Sequence, residues 1–477
     1  MGILRKIFSL PGVMVCGLMT FVCYFLPLDM ADPDIWWHLR DAEWQWAHKA
    51  FLREDLFSFT ARGAGWMNHE WLGEVPFYLG WRWHGMEGVY VVTLLAIEAI
   101  LLAVMWLAWR RSQSWVAAVG CAGVACVLST VSFGPRTLLF GWICLLLELV
   151  VLEFFAEGRK CLWVLPLLFG VWVNVHGSWL IGLVVFAVFV GCGGVKIEVG
   201  DLCGRGWTGS EWKRLIGAGI GCFGALFANP YGWRLVVYPF DLAFRQKLNV
   251  ANVEEWKSLD FHSPRGRIFL ITLGLMAVAQ VVKRRKWTPI EVGLMGVAIY
   301  SSFAYSRFLF LAGILAMPLM ANSFAWVGAR RRRERWVLNA ALVGVFVVLA
   351  VVRLRGSADK ASMSDLRFPN EAVGYLRGFA PKGNVFNEFL WGGWVDWHAR
   401  QVPVFVDSRV DIFEYNGAFG DYLDASRLKD TDAVLAKYKI RYVFYERESP
   451  LVYYLRRQGG WRVDYEDRTA VMLERVQ

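Results

Sequence analysis

Up to about residue 353, apolar residues occur in runs of roughly twenty separated by short polar connections. This pattern predicts about eleven spanning helices, near 8–28, 87–109, 115–132, 138–156, 161–174, 178–195, 214–228, 268–282, 289–304, 307–326 and 336–353. Basic clusters fall on every second connection: Arg5 and Lys6, Arg110 and Arg111, Arg159 and Lys160, Lys213 and Arg214, Lys283 to Lys286, and Arg330 to Arg335. A cytoplasmic N-terminus puts all six inside. Residues 29–85, 133–137, 174–178, 229–267, 304–307 and everything after about 354 are then outside. The first run is too long for a signal-peptide core and is read as a retained span. After Arg353 the apolar runs shorten to VPVFVD, RYVFYE, WRVDYE and TAVMLE. Helical patterns lie between them, at about 369–378, 389–399, 415–438 and 449–458. Short strands alternating with helices predict an extracytoplasmic α/β domain over 354–477, reached through the polar linker 353–365. The expected fold is thus an α-helical polytopic membrane protein, with residues 1–353 as its transmembrane domain.

Composition agrees with this reading. The chain is 56% hydrophobic with mean hydropathy +0.38, and only 19% of its residues are charged. A net charge of +10 would suit a nucleic-acid partner, but the cations sit at the ends of apolar runs, where topology accounts for them. No nucleic-acid partner is expected. The nine cysteines (16, 23, 121, 126, 144, 161, 192, 203 and 222) lie in or beside apolar runs or in the stretch read as cytoplasmic, which argues against disulfides and cysteine–zinc sites.

The first outer loop, 29–85, is far longer than a connection requires. It sets Asp32, Asp34, His38, His69, Glu70 and Glu74 among tryptophans and other aromatics. Asp34 to Lys49 is expected to form an amphipathic helix at the membrane interface with tryptophan anchors, and a second helix is expected from Asn68, whose side chain can cap it. Ionisable groups near hydrocarbon are costly and mark partners or sites. They accumulate on the outer side: the first loop, Arg136 in SFGPRTLLF, Asn174 and His176 in NVHGSW, Asn229, Tyr231 and Arg234 in NPYGWR, Glu254 and Glu255 in VEEWKS, and Arg307 in YSRFLF. Such a distribution would suit one cavity opening to that face, lined by segments far apart in sequence.

Each group also has a structural role open to it. Asp32-Pro33-Asp34 can break one helix and cap the next. His38, one turn after Asp34, can share its face, bind a metal or simply satisfy the acid. Arg136 and Arg307 can anchor to headgroups or grip a lipid phosphate. Asn174 to Ser178 and Asn229 to Gly232 can be plain turns. His69-Glu70 lacks the second histidine of a zincin, with Gly73 in its place, and the GxGxxG at Gly204, Gly206 and Gly209 has no expected strand before it, so neither motif is pursued.

DPDIWWHL, NHEWLGE, PRTLLF, NVHGSWLIG, NPYG, EEW, SRFLFLA, VFNEFLWGGWVDW and VPVFVDSRVDIF together resemble a group of uncharacterised bacterial membrane proteins described as glycosyltransferase-like. The Asp-bearing first loop, the spans and the outer C-terminal domain more broadly resemble the GT-C membrane glycosyltransferases, which include protein O-mannosyltransferases and lipid A aminoarabinose transferases. The resemblance implies a polyprenyl-phosphate sugar donor, a lipid or glycan acceptor, and a location in the bacterial cytoplasmic membrane. It further implies a first-loop Asp acting as base or metal ligand: Asp34, with Asp32 second. Arg136, Arg234 and Arg307 are its candidates for the donor phosphate. His38, His69, Glu70, Asn174, His176 and Glu254 are candidate substrate contacts, and Asp34, His38 and Glu254 are candidate ligands for a divalent cation, magnesium or manganese. Asn387, Trp391, Asp407, Arg409 and Asp411 form a polar and aromatic cluster suited either to acceptor recognition or to packing. Two rival readings remain: a lipid-linked saccharide transporter, and a non-catalytic scaffold of polysaccharide synthesis.

Overall fold

The computed structural model describes residues 7–25, 32–252, 254–327, 334–361 and 368–476. The chain divides into two compact units: 1–27 with 91–236 and 253–358, and 28–90 with 237–252 and 359–477. The first loop therefore belongs by its contacts with the C-terminal residues, a grouping that sequence patterning did not indicate.

In the first unit all the expected apolar runs are helical, beginning with Leu10–Phe25 and ending with Trp336–Ala361. Six described helices are long and apolar enough to cross a membrane, and four further apolar helices are shorter. Such helices, several of them sheathed in exposed aliphatic side chains such as Val281 and Val337, identify a multi-pass membrane protein. Helix starts follow local chemistry. Thr208 with Glu211 and Thr288 with Glu291 form capping boxes, and Ser263 caps a helix with Pro264 at its first position. Basic residues assigned to one face also meet acids: Arg111 Nη1 lies 3.3 Å and Arg285 Nη1 3.1 Å from Glu291 Oε1, and Arg110 pairs with Glu157. The run 309–321 contains a π-helical stretch, Ala312–Ala316.

The structure corrects two expectations here. A hairpin, β1 (Lys196–Val199) with β2 (Leu202–Arg205), does precede the helix Gly209–Ala225. It is a two-stranded antiparallel turn, however, and Gly206 serves its exit at φ +72°. Secondly, the expected linker at 353–365 is helical as far as Ala361, its remainder lying outside the described residues. The second first-loop helix and the span expected near 87–109 are both present: Trp71–Ser112 is two helices that meet at a kink at His84 and Gly85, where Gly85 adopts φ +56°. That break falls where the sequence ends the first loop.

The second unit is built on a four-stranded sheet ordered β3 (Asn384–Asn387), β4 (Ile440–Glu446), β6 (Ala470–Arg475), β5 (Trp461–Glu466). β3 and β4 are parallel; the other pairings are antiparallel. VPVFVD, expected as a strand, is not one. The Asn387 amide takes over the ladder: its Nδ2 donates to Val406 O at 2.8 Å and its Oδ1 accepts from Phe405 N at 2.7 Å. The expected helix over 415–438 is two short ones, Ala418–Ser426 and Thr431–Lys437, and a further short helix, Val410–Tyr415, precedes them. Trp37, Leu52, Phe57 and Trp66 of the first loop share one apolar core with Phe386, Phe405, Val410 and Val443. Trp37, expected at headgroup level, is buried there against Trp66.

Two acids inside this unit make its stability pH-dependent. Burial pushes Asp396 to about 7 from an ordinary 3.8, although Arg40 and Arg409 oppose it, and burial pushes Glu388 to about 8. The folded state holds these protons where the unfolded state has released them, so stability is greatest below pH 4 for these groups and falls as pH rises through 7–8. Asp396→Asn is expected to remove a penalty of up to about 4 kcal/mol, seen as a smaller drop in melting temperature between pH 5 and pH 8 than in the wild type.

Candidate active site in the first loop

The helix Asp34–His48 opens on Asp-Pro-Asp. Pro33 holds φ −68°, and Asp32 Oδ1 accepts the Asp34 amide at 3.0 Å, satisfying one of the unpaired N–H groups at the helix start. Asp32 thus has a capping role. Asp34 is half-buried, and its Oδ1 accepts from Trp37 Nε1 at 3.2 Å.

One turn on, His38 is buried with its ring 3.7 Å from that of Trp37. Its Nδ1 lies 2.9 Å from Glu74 Oε1 and its Nε2 3.5 Å from Glu70 Oε2. Burial lowers the His38 pKa despite the nearby charges of Glu70, Asp34 and Asp32, so the imidazole is neutral at pH 7. Asn68, expected as a helix cap, instead receives the Glu70 amide in a turn before the helix. Its Nδ2 donates to both Glu74 oxygens, at 2.9 and 2.8 Å, and to Asp41 Oδ2 at 3.2 Å. Burial and then Glu74 push Asp41 well above the usual carboxylate range, and its Oδ1 is buried with no hydrogen bond. Behind the half-buried Asp34 there is thus a fixed chain of imidazole, acid and amide.

His69 lies beside this chain. Its Nε2 is 3.3 Å from Glu70 Oε1, its ring packs 4.5 Å from Tyr238, and its Nδ1 is buried without a hydrogen bond. Burial draws the imidazole downward, but Glu70, Asp411 and Glu74 outweigh it and the net shift is upward. Tyr238 donates to Asp411 Oδ2 at 3.1 Å. Beyond Asp411, Arg409 is buried over Phe57 and Trp66, with Nη2 2.8 Å from Asp55 Oδ1 and 2.5 Å from Asp407 Oδ2.

Within the second unit the structure thus gathers Asp32, Asp34, His38, His69 and Glu70. It joins to them Glu74, already noted in the first loop, and Asp411 of the C-terminal polar cluster, and it adds Asp41, Asn68 and Tyr238, which were not among the sequence candidates for the site. The signal available for Asp41 was its place on the helix face of Ile35 and His38, where a charge needs a buried partner.

The remaining candidates lie in the first unit. Arg136 Nη1 is 2.7 Å from Glu255 Oε1, Ser306 Oγ donates to Glu255 O at 3.1 Å, and Arg307 lies over Trp256 at 5.0 Å, so these three turns meet. Asn174 Nδ2 donates to Gly170 O and Ala228 O, and His176 Nδ1 accepts the Ser178 amide, so both side chains stabilise turns. Asn229 closes the NPYG turn, after which Arg234 is exposed. The Glu254 side chain lies outside the described residues. Among the described residues no three His, Cys, Asp or Glu side chains converge as a metal-binding set, and His38 is already committed to Glu74. Asp34 and His38 therefore form no metal-ligand set with a third described residue.

No family model matches the chain, and no curated protein matches it. Solved structures do. The oligosaccharyltransferase of Archaeoglobus fulgidus in the apo form aligns at TM-score 0.53 over 97% of this chain and 74% of its own, with 11% identity. AglB of the same organism, in complex with an inhibitory peptide and a dolichol-phosphate, gives 0.54 over 91% and 69%, with 11% identity. ArnT from Cupriavidus metallidurans, bound to undecaprenyl phosphate, gives 0.53 over 97% of each chain, with 12% identity. At such identities the shared property is the fold.

Proposed function

We propose that this protein transfers a sugar from a polyprenyl-phosphate carrier to a hydroxyl acceptor on the outer face of the bacterial cytoplasmic membrane, with its N-terminus cytoplasmic and residues 354–477 extracytoplasmic. The reading is carried by the half-buried Asp34 that opens the first-loop helix, with His38, Glu74 and Asn68 fixed behind it in a fold shared with proteins solved with lipid phosphates. Asp34 takes the acceptor proton as the hydroxyl oxygen attacks the anomeric carbon. The bond from that carbon to the phosphate oxygen breaks, and the lipid phosphate leaves. Neutral His38 positions the acid's surroundings, and His69 and Glu70 contact substrate. The departing phosphate needs a cation. Arg136 is already paired with Glu255, whereas Arg307 has no ion pair among the described residues and is the proposed phosphate contact. Arg234 is the second choice. Arg307→Ala is expected to weaken binding of undecaprenyl phosphate to the purified protein at least tenfold, about 1.4 kcal/mol. Unchanged binding in that variant would remove Arg307 from the site.

A further inference from the structure

The second unit carries a groove of about 580 Å³ that shares no lining residue with the first-loop cluster; it is lined by Leu428, Glu448, Ser449, Tyr453, Tyr454 and Arg457 among others. We propose that it binds a neutral saccharide, the acceptor glycan of the reaction above; the acceptor role rests on that reading, the binding does not. The volume lies within the range of about 300–1,000 Å³ typical of small-molecule sites. Tyr453 is 60% exposed, an unusual position for a large aromatic ring, and Arg457 lies over it at 4.7 Å. Tyr454 donates to Asp432 Oδ2 at 2.7 Å, and Gln458 Nε2 donates to the same oxygen at 2.8 Å, so the polar wall is fixed in advance.

Leu428 contributes a third observation. It ends the helix Ala418–Ser426 at φ +59°, a position that favours glycine, yet it carries an apolar side chain that is 41% exposed. Strain of this kind concentrates at ligand-binding positions. A sugar ring presents an apolar C–H face and a rim of hydroxyls. An exposed ring and leucine floor can take the face, and planar carboxylate, amide and guanidinium groups can take the rim. The lining itself carries one carboxylate, Glu448, and one guanidinium, Arg457, and the Asp432 carboxylate behind it is already held by Tyr454 and Gln458, which suits a neutral ligand. No strand edge lines the groove to pair with a peptide backbone.

The test is saturation-transfer NMR on the full chain in nanodiscs, with a panel of neutral disaccharides of glucose, galactose, mannose and their N-acetylamino derivatives. Wild type and Asp34→Asn are expected to saturate the ring C–H protons of at least one disaccharide equally. Tyr453→Ala should weaken that binding at least tenfold at unchanged melting temperature, and Leu428→Gly should weaken it severalfold while raising the melting temperature. No transfer to any disaccharide, or equal binding by Tyr453→Ala, overturns the proposal. Binding that persists in a protein without transferase activity upholds the groove and removes only its acceptor role.

Discussion

Asp34→Asn is expected to lower sugar transfer by about 10²–10⁴-fold, the range supplied by a positioned general base, while leaving the fold in place. Asparagine retains an oxygen to accept from Trp37 Nε1, and the backbone contact from Asp34 N to Asp32 Oδ1 does not involve the Asp34 side chain. The substitution therefore removes the charge and the proton acceptor with little change of shape. If Asp34 served only the helix start, the loss would be about 0.3–1 kcal/mol of stability with turnover intact. Single-turnover rates and melting curves of the two proteins separate these cases. Wild-type turnover by the variant would refute the base assignment.

Arg409→Met is expected to cost about 3–5 kcal/mol, because it leaves buried carboxylates without their countercharge. The Arg409 side chain is 1% exposed and those of Asp55 and Asp407 are 0% and 1%. The guanidinium bonds Asp407 through Nε and Nη2 and reaches Asp55 through Nη2, so one fork ties the first loop to the C-terminal part of the same unit. A lysine keeps the charge but not the planar fork, so Arg409→Lys should recover only part of the loss. Chemical denaturation followed by the tryptophans of the shared core measures both. Because Arg409 touches no group assigned to the reaction, the folded fraction of Arg409→Lys should retain its turnover per molecule.

The spans were legible because a run of about twenty apolar residues has few other uses. The strands RYVFYE, WRVDYE and TAVMLE were each found where the short apolar runs placed them. The association of the first loop with the C-terminal residues was not legible. It depends on single polar contacts across great sequence distance, such as Arg409 to Asp55, 354 residues apart, and on a core built from both segments. VPVFVD was misread because a short apolar run suits a strand, while the Asn387 amide and the Phe59 N–H supply its backbone partners instead. His38 and Glu74 were both noticed as unusual residues, but their pairing spans 36 positions and no helical or strand period connects them. Trp37 illustrates the same limit: its helical spacing suited a membrane anchor equally well as a core residue, and only tertiary packing separates the two.

The central claim is chemical, and the measurement closest to it follows the label on a polyprenyl-phosphate sugar. Purified wild-type protein in nanodiscs, given the labelled donor and a cell-envelope glycan or lipid extract as acceptor, is predicted to release unlabelled lipid phosphate and build label into an acceptor product. Label that stays on the carrier while crossing the bilayer, or that never leaves it under any acceptor condition, would contradict the account.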